Sequence, residues 1–524
     1  MNQIPEKGGA PLPPTAGAPI SVPETTLNQP AIPFSRIDLG FAGLALLCGW
    51  IFAKNFSICF GTGITVFSLA FCAFALCYFR VKKVQIPKEG WIWLAVYLLS
   101  SFCFSIYTNL ILGFVNFWFL LAAGVYWIAV CTSVRIGGKL DRWVVTDILH
   151  QTFHVPFGNF ACGFRLLEAG LRKTGKGHGI FGVLAGAAVS IPVLAIILPC
   201  LISADGTFEQ MARDLSQNLW RYVGELFWYL PVSVLVGCWL FGLVYGCVQK
   251  RKTGDLTEEI LRKRGEQRHF LPVSVTGTMF IIVILVYVVF FFAQFQSLMV
   301  AVVNSAPEGT SFAEYARRGF FELCFVSAFN LFLLLFSRGF SRYTDGKENP
   351  FLKVLHGLLC VETLILIASA LTKMGMYISR YGLTQLRFYT SWFMVTLIVV
   401  FVVLILSGFR PLQTAKILSI TVIVSFLLLC WCNSDALIVR YNIGRWESGT
   451  LETLDLEDMQ SNMPTAAVPQ LIALWERTSD PQMKEEIETI LLNSEWRSVG
   501  SNFIDNSIQS LISQKRLEEW KSSR

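Results

Sequence analysis

Long apolar runs, separated by short polar loops, dominate the chain from residue 37 to residue 432. A helix of about 20 apolar residues crosses the hydrocarbon core of a bilayer. Such runs must be helical, because lipid offers no hydrogen-bond partner to free backbone groups. The pattern therefore predicts an all-α polytopic transmembrane bundle with about eleven spans. The predicted spans are residues 37–54, 58–79, 91–108, 110–133, 180–203, 223–248, 271–298, 319–337, 352–373, 386–408 and 412–432.

The two ends of the chain differ from this apolar middle. Residues 1–35 are rich in Pro, Gly, Ala and Thr and lack apolar periodicity, which predicts a disordered N-terminal tail. Residues 433–524 carry short amphipathic helical patterns punctuated by prolines, which predicts a small soluble α-helical domain. The predicted organisation is thus a tail at 1–35, a transmembrane domain at 36–432 and a helical domain at 433–524.

Two smaller patterns concern packing. Gly182/Gly186 and Gly242/Gly246 place small residues four apart, so the fifth and sixth spans are candidates for close helix packing. The segment 207–222 is amphipathic and predicts an interfacial helix on the outer side.

Composition supports a membrane protein, since 54% of the residues are hydrophobic and only 15% are charged. The net charge of +7 is concentrated in the loops after the second, fourth, sixth, eighth and tenth spans. Basic residues in the loops after even-numbered spans predict a cytoplasmic N-terminus. The positive charge therefore indicates the orientation of the protein in the membrane and not binding of nucleic acid. With an odd number of spans, the C-terminal residues then lie outside the cytoplasm. The residues from Asp435 to Arg524 include nine basic and fifteen acidic side chains, which gives a net charge of −6.

Motifs for redox, metal or hydrolytic chemistry are scarce. Most of the 14 cysteines lie inside apolar runs, and CxxC does not occur, so they are interpreted as small apolar fillers. His150 and His154 have the i, i+4 spacing of metal ligands but lack further ligands at suitable spacing. GxSxG and HExxH are absent from the sequence. We therefore assign no cofactor and no metal, and favour a protein without enzymatic activity.

Two carboxylates fall inside predicted spans. Glu362 lies near the middle of the ninth span, and Glu322 lies nearer the outer end of the eighth. Ionisable groups inside a membrane are costly and usually face the bundle interior or water. One interpretation is a proton or substrate path in which Glu362 is the protonatable group. The other is an interhelical hydrogen bond or ion pair.

A polar stretch, Arg380–Trp392, comes just before the apolar run Phe393–Leu406 in the tenth span. Arg380 and Arg387 make the outer side locally basic, against the general charge pattern, and Tyr381 and Tyr389 accompany them. Arg387 could pair with Glu322 at similar depth. It could instead bind an anionic lipid or sugar-phosphate head group bidentately.

A resemblance adds to this pattern. Tyr381-Gly-Leu-Thr384 with Arg387 and Tyr389, followed one span later by Asn433-Ser-Asp435 and Ile438-Val-Arg440-Tyr441-Asn442, resembles a bacterial family. It is the family catalogued as domain of unknown function 4173, which is related to the 4153 family. Ser434 stands where that family typically has proline, and serine can still cap a helix. The resemblance implies a multi-pass bacterial inner-membrane protein with an α-helical tail, and it brings no mechanism.

Both signatures are predicted to reach the same membrane surface. Side chains from the two signatures are therefore predicted to form one polar cluster that seats the tail on the bundle. These residues are Arg380, Tyr381, Arg387, Tyr389, Asp435, Arg440, Tyr441 and Asn442.

Three functions stay open at this point. The first is a non-enzymatic envelope scaffold or sensor-like partner, embedded in the lipid bilayer and contacting an envelope protein through residues 433–524. The second is a transporter that uses Glu362 and Glu322. The third is a lipid-linked or acyl-group transferase with its site at Arg380–Tyr389.

Overall fold

The computed structural model describes residues 35–55, 61–173, 190, 197, 229–268, 270–303, 319–342, 349–493 and 506–524. Its secondary structure is helical, and ten of these helices are long and apolar enough to cross a membrane. This confirms the predicted all-α polytopic bundle. Most of the predicted fifth span (180–203), the whole interfacial segment 207–222 and nearly all of the N-terminal tail fall outside the described residues.

The first half of the chain contains α1 to α8. Their bounds are α1 Arg36–Asn55, α2 Thr62–Val81, α3 Lys88–Ile106, α4 Leu110–Cys131, α5 Val144–Leu149, α6 Val155–Gly158, α7 Cys162–Lys173 and α8 Tyr229–Val248. A π-helical turn, His150–His154, joins α5 to α6.

The second half contains α9 to α14, and the C-terminal residues form α15 to α19. The bounds are α9 Glu258–Arg268, α10 Val273–Val303, α11 Phe320–Phe340, α12 Pro350–Tyr381, α13 Gln385–Phe409, α14 Thr414–Trp431, α15 Ser434–Glu447, α16 Leu456–Asn462, α17 Pro464–Arg477, α18 Pro481–Asn493 and α19 Ile508–Ser522.

The membrane helices bury two separate hydrophobic cores. One core joins α1–α4 and α8 around large buried aromatics such as Tyr78, Tyr126 and Trp127. The other joins α10–α13 around Phe280, Phe320 and Phe401. Many outward side chains on the same helices are large, apolar and exposed, as a lipid-facing surface requires.

Helix α14 is almost unburied and bridges these two halves at the edge of the bundle. The Trp431 indole donates to the carbonyl of Leu99 on α3 at 3.1 Å. Phe426 packs on Phe119 of α4 with ring centroids 4.8 Å apart. On its other side α14 packs on α13, where Ser425 accepts from the Trp392 indole.

The glycine pair of α8 has a clear packing role. A Cβ on Gly242 would lie 2.6 Å from the carbonyl oxygen of Pro156, and one on Gly246 would meet the amide of Asn159 at 2.5 Å. Only glycine allows this approach. The face that carries both glycines therefore packs on α6 and the turn after it. The prediction that the fifth span packs there involves residues outside those described.

The C-terminal helices share a third hydrophobic core. It contains Ile438, Leu471, Ile487 and Trp520, from α15, α17, α18 and α19. Leu383 and Phe388, from the start of α13 and the turn before it, pack against this core. The predicted boundary between transmembrane and soluble domains at residues 432 and 433 stays a prediction, but the helices on its C-terminal side share one core that also contacts the bundle.

Candidate functional site

Only two residues, Cys432 and Asn433, separate α14 from α15. Asn433 adopts a left-handed backbone conformation, with φ of 47°, which asparagine tolerates better than most residues. Its side chain accepts a hydrogen bond from the backbone N–H of Ala436 and so caps α15. This turn places Ser434 and Asp435 in the first turn of α15, buried against the end of the bundle.

Five polar side chains meet at this position, and we call them the seam: Asn109, Gln385, Tyr389, Ser434 and Asp435. The Asp435 Oδ1 accepts from the Asn109 amide at 2.8 Å and from the Gln385 amide at 2.9 Å. The Tyr389 hydroxyl accepts from the same Asn109 amide at 2.6 Å and lies 3.0 Å from the Ser434 hydroxyl. The seam thus joins the α3–α4 turn, the start of α13 and the start of α15.

The seam carries a buried carboxyl group. Asp435 is only 4% exposed, and burial raises its pKa to about 6 although hydrogen bonds from Gln385 and Asn109 oppose the shift. The ionised form is therefore held by amide dipoles rather than by a basic partner. Such a carboxylate is a positioning group, because its two amide donors come from separate parts of the chain, the α3–α4 turn and the start of α13.

A second set of contacts lies beside the seam, where α12 ends. The backbone N–H of Leu383 donates to the Asn442 Oδ1 at 2.7 Å, and the Asn442 amide donates back to the Leu383 carbonyl at 2.8 Å. Gly382 has φ of 73°, and a Cβ there would lie 2.7 Å from the same Oδ1. Arg387 donates to the carbonyls of Tyr381 and Gly382, so it caps the C-terminus of α12.

Arg387 also lies over the Tyr377 ring, with its guanidinium carbon 4.1 Å from the ring centroid. It contacts these groups rather than Glu322, the partner suggested by the sequence. Glu322 is exposed and accepts from the backbone N–H of Gly319 at 2.8 Å, which caps α11.

The remaining predicted residues lie on the exposed rim of this region. Arg380 forms an exposed ion pair with Glu452 at 2.8 Å. Tyr381 and Arg440 have exposed side chains, and the exposed Tyr441 hydroxyl accepts from Arg445 at 3.2 Å. The eight predicted residues thus occupy three adjoining places. Tyr389 and Asp435 lie in the seam, Arg387 and Asn442 lie beside it, and the others lie on the rim.

Several contacts of this region have weak sequence signals. Asn109 is an uncharged residue in a short neutral turn, and Gln385 is a single amide at a helix start. The N-terminus of α19 adds a further contact, because Ser507 lies 2.6 Å from the Thr108 hydroxyl. The Thr62 hydroxyl donates to the carbonyl of Asn506 at 2.7 Å. These pairs join segments hundreds of residues apart, which local patterning does not reveal.

Glu362 lies within α12, far from the seam. It is 9% exposed, and its Oε2 atom is buried without a hydrogen-bond partner in the part of the chain that the structure describes. On the loop side of the bundle, His150 and His154 stack with centroids 4.8 Å apart, and His154 contacts Asp255 at 2.8 Å. Among the described residues, no group of three or more candidate metal ligands occurs.

Ten helices long and apolar enough to span a membrane among the described residues, their exposed apolar side chains and a helical C-terminal part define the class of this protein: an integral, multi-pass membrane protein. Within that class, the chain belongs to the family described as Domain of unknown function (DUF4153), whose model matches residues 94–474. The match contains the seam, both sequence signatures, and Glu322 and Glu362, the two carboxylates predicted to lie inside the membrane. No curated protein and no solved structure matches the chain.

Proposed function

We propose that this membrane protein is a non-enzymatic scaffold or sensor-like partner in the bacterial envelope, with α15–α19 as its interaction module. The observation that supports this most is the seam, since it fixes the module to the bundle by a buried network instead of a flexible linker. A module held in this way keeps a constant orientation to the membrane. It can also transmit a change in the position of α13 or of the α3–α4 turn.

The charge of the module suggests the chemistry of a partner. Its surface is acidic, with a net charge of −6 from Asp435 to Arg524, and exposed side chains such as Glu457, Glu485 and Glu486 belong to it. A basic protein surface in the envelope complements this charge. We therefore propose an envelope protein with a basic contact face as the partner.

We further propose the inner membrane as the location, a cytoplasmic N-terminus and an extracytoplasmic module. The loops that follow α2, α4, α8, α11 and α13 hold most of the basic residues, in agreement with the positive-inside rule. The module contacts the opposite ends of these helices, at Thr62, Thr108, Asn109 and Gln385. We also propose that the chain belongs to the narrower 4173 family.

Photo-crosslinking in intact cells tests the scaffold role. A crosslinking amino acid replaces Glu457 or Glu485 on the module and, as a control, Val424 on the lipid-facing surface of α14. The proposal predicts one discrete protein adduct from the module positions and none from Val424. It further predicts that Asp435→Ala weakens the adduct at equal expression. Absence of any module adduct in native membranes would contradict the scaffold role.

A further inference from the structure

Polar side chains run through the core of α10, α11 and α12 in three groups. The first joins His356 to Ser337 at 2.9 Å, with Ser341 and Thr276 beyond. The second lies two turns further along α12: the Tyr287 hydroxyl donates to the Asn330 Oδ1 at 2.7 Å, and the Asn330 amide donates to Thr363 at 2.9 Å.

The third group pairs the Ser369 hydroxyl with the Gln294 Oε1 at 2.9 Å. Each group has one member on α12, so positions along that helix give the distance between the groups. From His356 to Ser369 is about 20 Å along a helix that rises 1.5 Å per residue. A hydrocarbon core is about 30 Å thick, so the groups cover much of its depth.

Most of these side chains have an adequate structural explanation, because hydrogen bonds between membrane helices hold the helices together. Glu362 has none. Its Oε2 is buried without a hydrogen-bond partner within the described ranges, beside Thr363 of the second group. The Tyr287 hydroxyl is close enough to interact with it electrostatically.

Charged side chains lie away from this carboxyl on every helix that packs around it. Helix α11 carries Glu322 and Arg338, near its two ends, and α12 carries Lys373 and the titratable His356 on either side of Glu362. The spanning part of α10, residues 273–294, has no charged residue, and α13 has none after Arg387, near its start. A carboxylate without a cationic partner is unfavourable at such a site, whereas the neutral acid is tolerated.

We propose that Glu362 is a proton-binding site inside the membrane, and that it exchanges its proton with water by way of the polar groups of α10, α11 and α12. The carboxylate takes up a proton and becomes the neutral acid. The acid then releases the proton and becomes the carboxylate again, with no other bond formed or broken. This function goes beyond the scaffold role, because it assigns a ligand, the proton, to the second half-bundle. It depends neither on the seam nor on a protein partner.

The test is reaction of the full chain, reconstituted in lipid vesicles, with the hydrophobic carbodiimide dicyclohexylcarbodiimide. This reagent adds to protonated carboxyl groups within membranes. Mass spectrometry then measures the modified fraction of Glu362 and of Glu322, which is exposed and serves as the internal control. The proposal predicts strong labelling at Glu362 near pH 6 and little at Glu322. It also predicts that labelling falls by about tenfold per pH unit once the pH exceeds the pKa of the carboxyl.

Glu362→Gln distinguishes a proton site from a structural ion pair. Glutamine keeps the shape of the side chain and removes the charge, so the thermal midpoint of the variant is expected to equal or exceed that of the wild type. Loss of stability, or labelling at Glu362 no stronger than at Glu322 at every pH, would overturn the proposal. Infrared difference spectra of wild type minus Glu362→Gln add a second readout. They should contain a protonated-carboxyl band that shifts in deuterated water, and a band that does not shift rules out exchange with water.

Discussion

Changing Asp435 tests the seam most informatively, because one residue joins its three parts. Burial raises the pKa of Asp435 from the ordinary value of 3.8 to about 6. A folded-state pKa above the unfolded value means that the protonated form is favoured in the docked module. Docking is therefore strongest at low pH and weakens as the pH rises towards 6. The full difference amounts to about 3 kcal/mol, at 1.36 kcal/mol for each pKa unit.

Most of this change is complete before neutral pH. Between pH 5 and pH 7.5 the wild type should lose about 1.4 kcal/mol of docking free energy. Asp435→Asn retains the Oδ1 acceptor but has no charge, so its docking free energy should not change in this interval. No histidine lies beyond residue 356, so local histidine titration does not compete with this effect in the module.

Asp435→Ala separates the hydrogen bonds from the charge. Like asparagine, alanine removes the charge, but it also leaves the amides of Asn109 and Gln385 without this acceptor. Loss of a buried acceptor costs about 1–3 kcal/mol for each donor, so the alanine variant, which affects two donors, should dock more weakly than the asparagine variant at every pH, by about 2–6 kcal/mol.

Hydrogen–deuterium exchange of α15 measures this docking, after correction for the intrinsic pH dependence of exchange. Amide protection in α15 reports the free energy of local opening. Equal protection in the alanine and asparagine variants would refute the seam as an energetic contact. An identical pH response in wild type and Asp435→Asn would refute the assignment of the response to this carboxyl.

Three further predictions concern close contacts. Gly382→Ala should destabilise the module by about 1–2 kcal/mol, because alanine is strained at positive φ. Gly375→Ala on exposed helical surface with open space should instead be neutral or slightly stabilising in the same thermal unfolding assay. Gly242→Ala should lower the thermal midpoint of the whole bundle, since the added methyl group meets a backbone carbonyl, and a midpoint equal to that of Gly375→Ala would disprove that packing. Arg387→Ala should increase exchange at the end of α12, whereas Arg440→Ala at an exposed position should not, and equal effects would contradict the capping role of Arg387.

The membrane spans could be predicted from sequence because lipid imposes one rule on every apolar segment. The helix ends were less predictable. Helix α12 continues to Tyr381, eight residues past the predicted end of its span at 373, because a helix can extend beyond the hydrocarbon region once Arg387 caps its carbonyls. Hydropathy marks where lipid ends and carries no information about where the helix ends.

The candidate site shows a different limit. The two signatures directed attention to Tyr389 and Asp435, and the topology indicated a shared membrane surface for them. Asn109 and Gln385 supply the hydrogen bonds that join these parts, yet neither carries a charge or a motif. Their importance comes from partners that are distant in the chain, and such pairing is a property of the tertiary structure. The charge of the arginines suggested a role in the site. In the structure, Arg380 lies on the exposed rim and Arg387 donates to backbone carbonyls.

A disulfide measurement shows whether α15–α19 are seated on the bundle. Thr108 and Ser507 have hydroxyls 2.6 Å apart, so Thr108→Cys combined with Ser507→Cys should form an intramolecular disulfide under mild oxidation in native membranes. Thr108→Cys combined with Lys521→Cys is the matched control, since Lys521 lies about 21 Å further along α19 at 1.5 Å per residue. Peptide mapping by mass spectrometry without reduction identifies the bond. Efficient crosslinking in the first pair alone is the predicted result, and no crosslink, or equal crosslinking in both pairs, would contradict a module seated on the bundle.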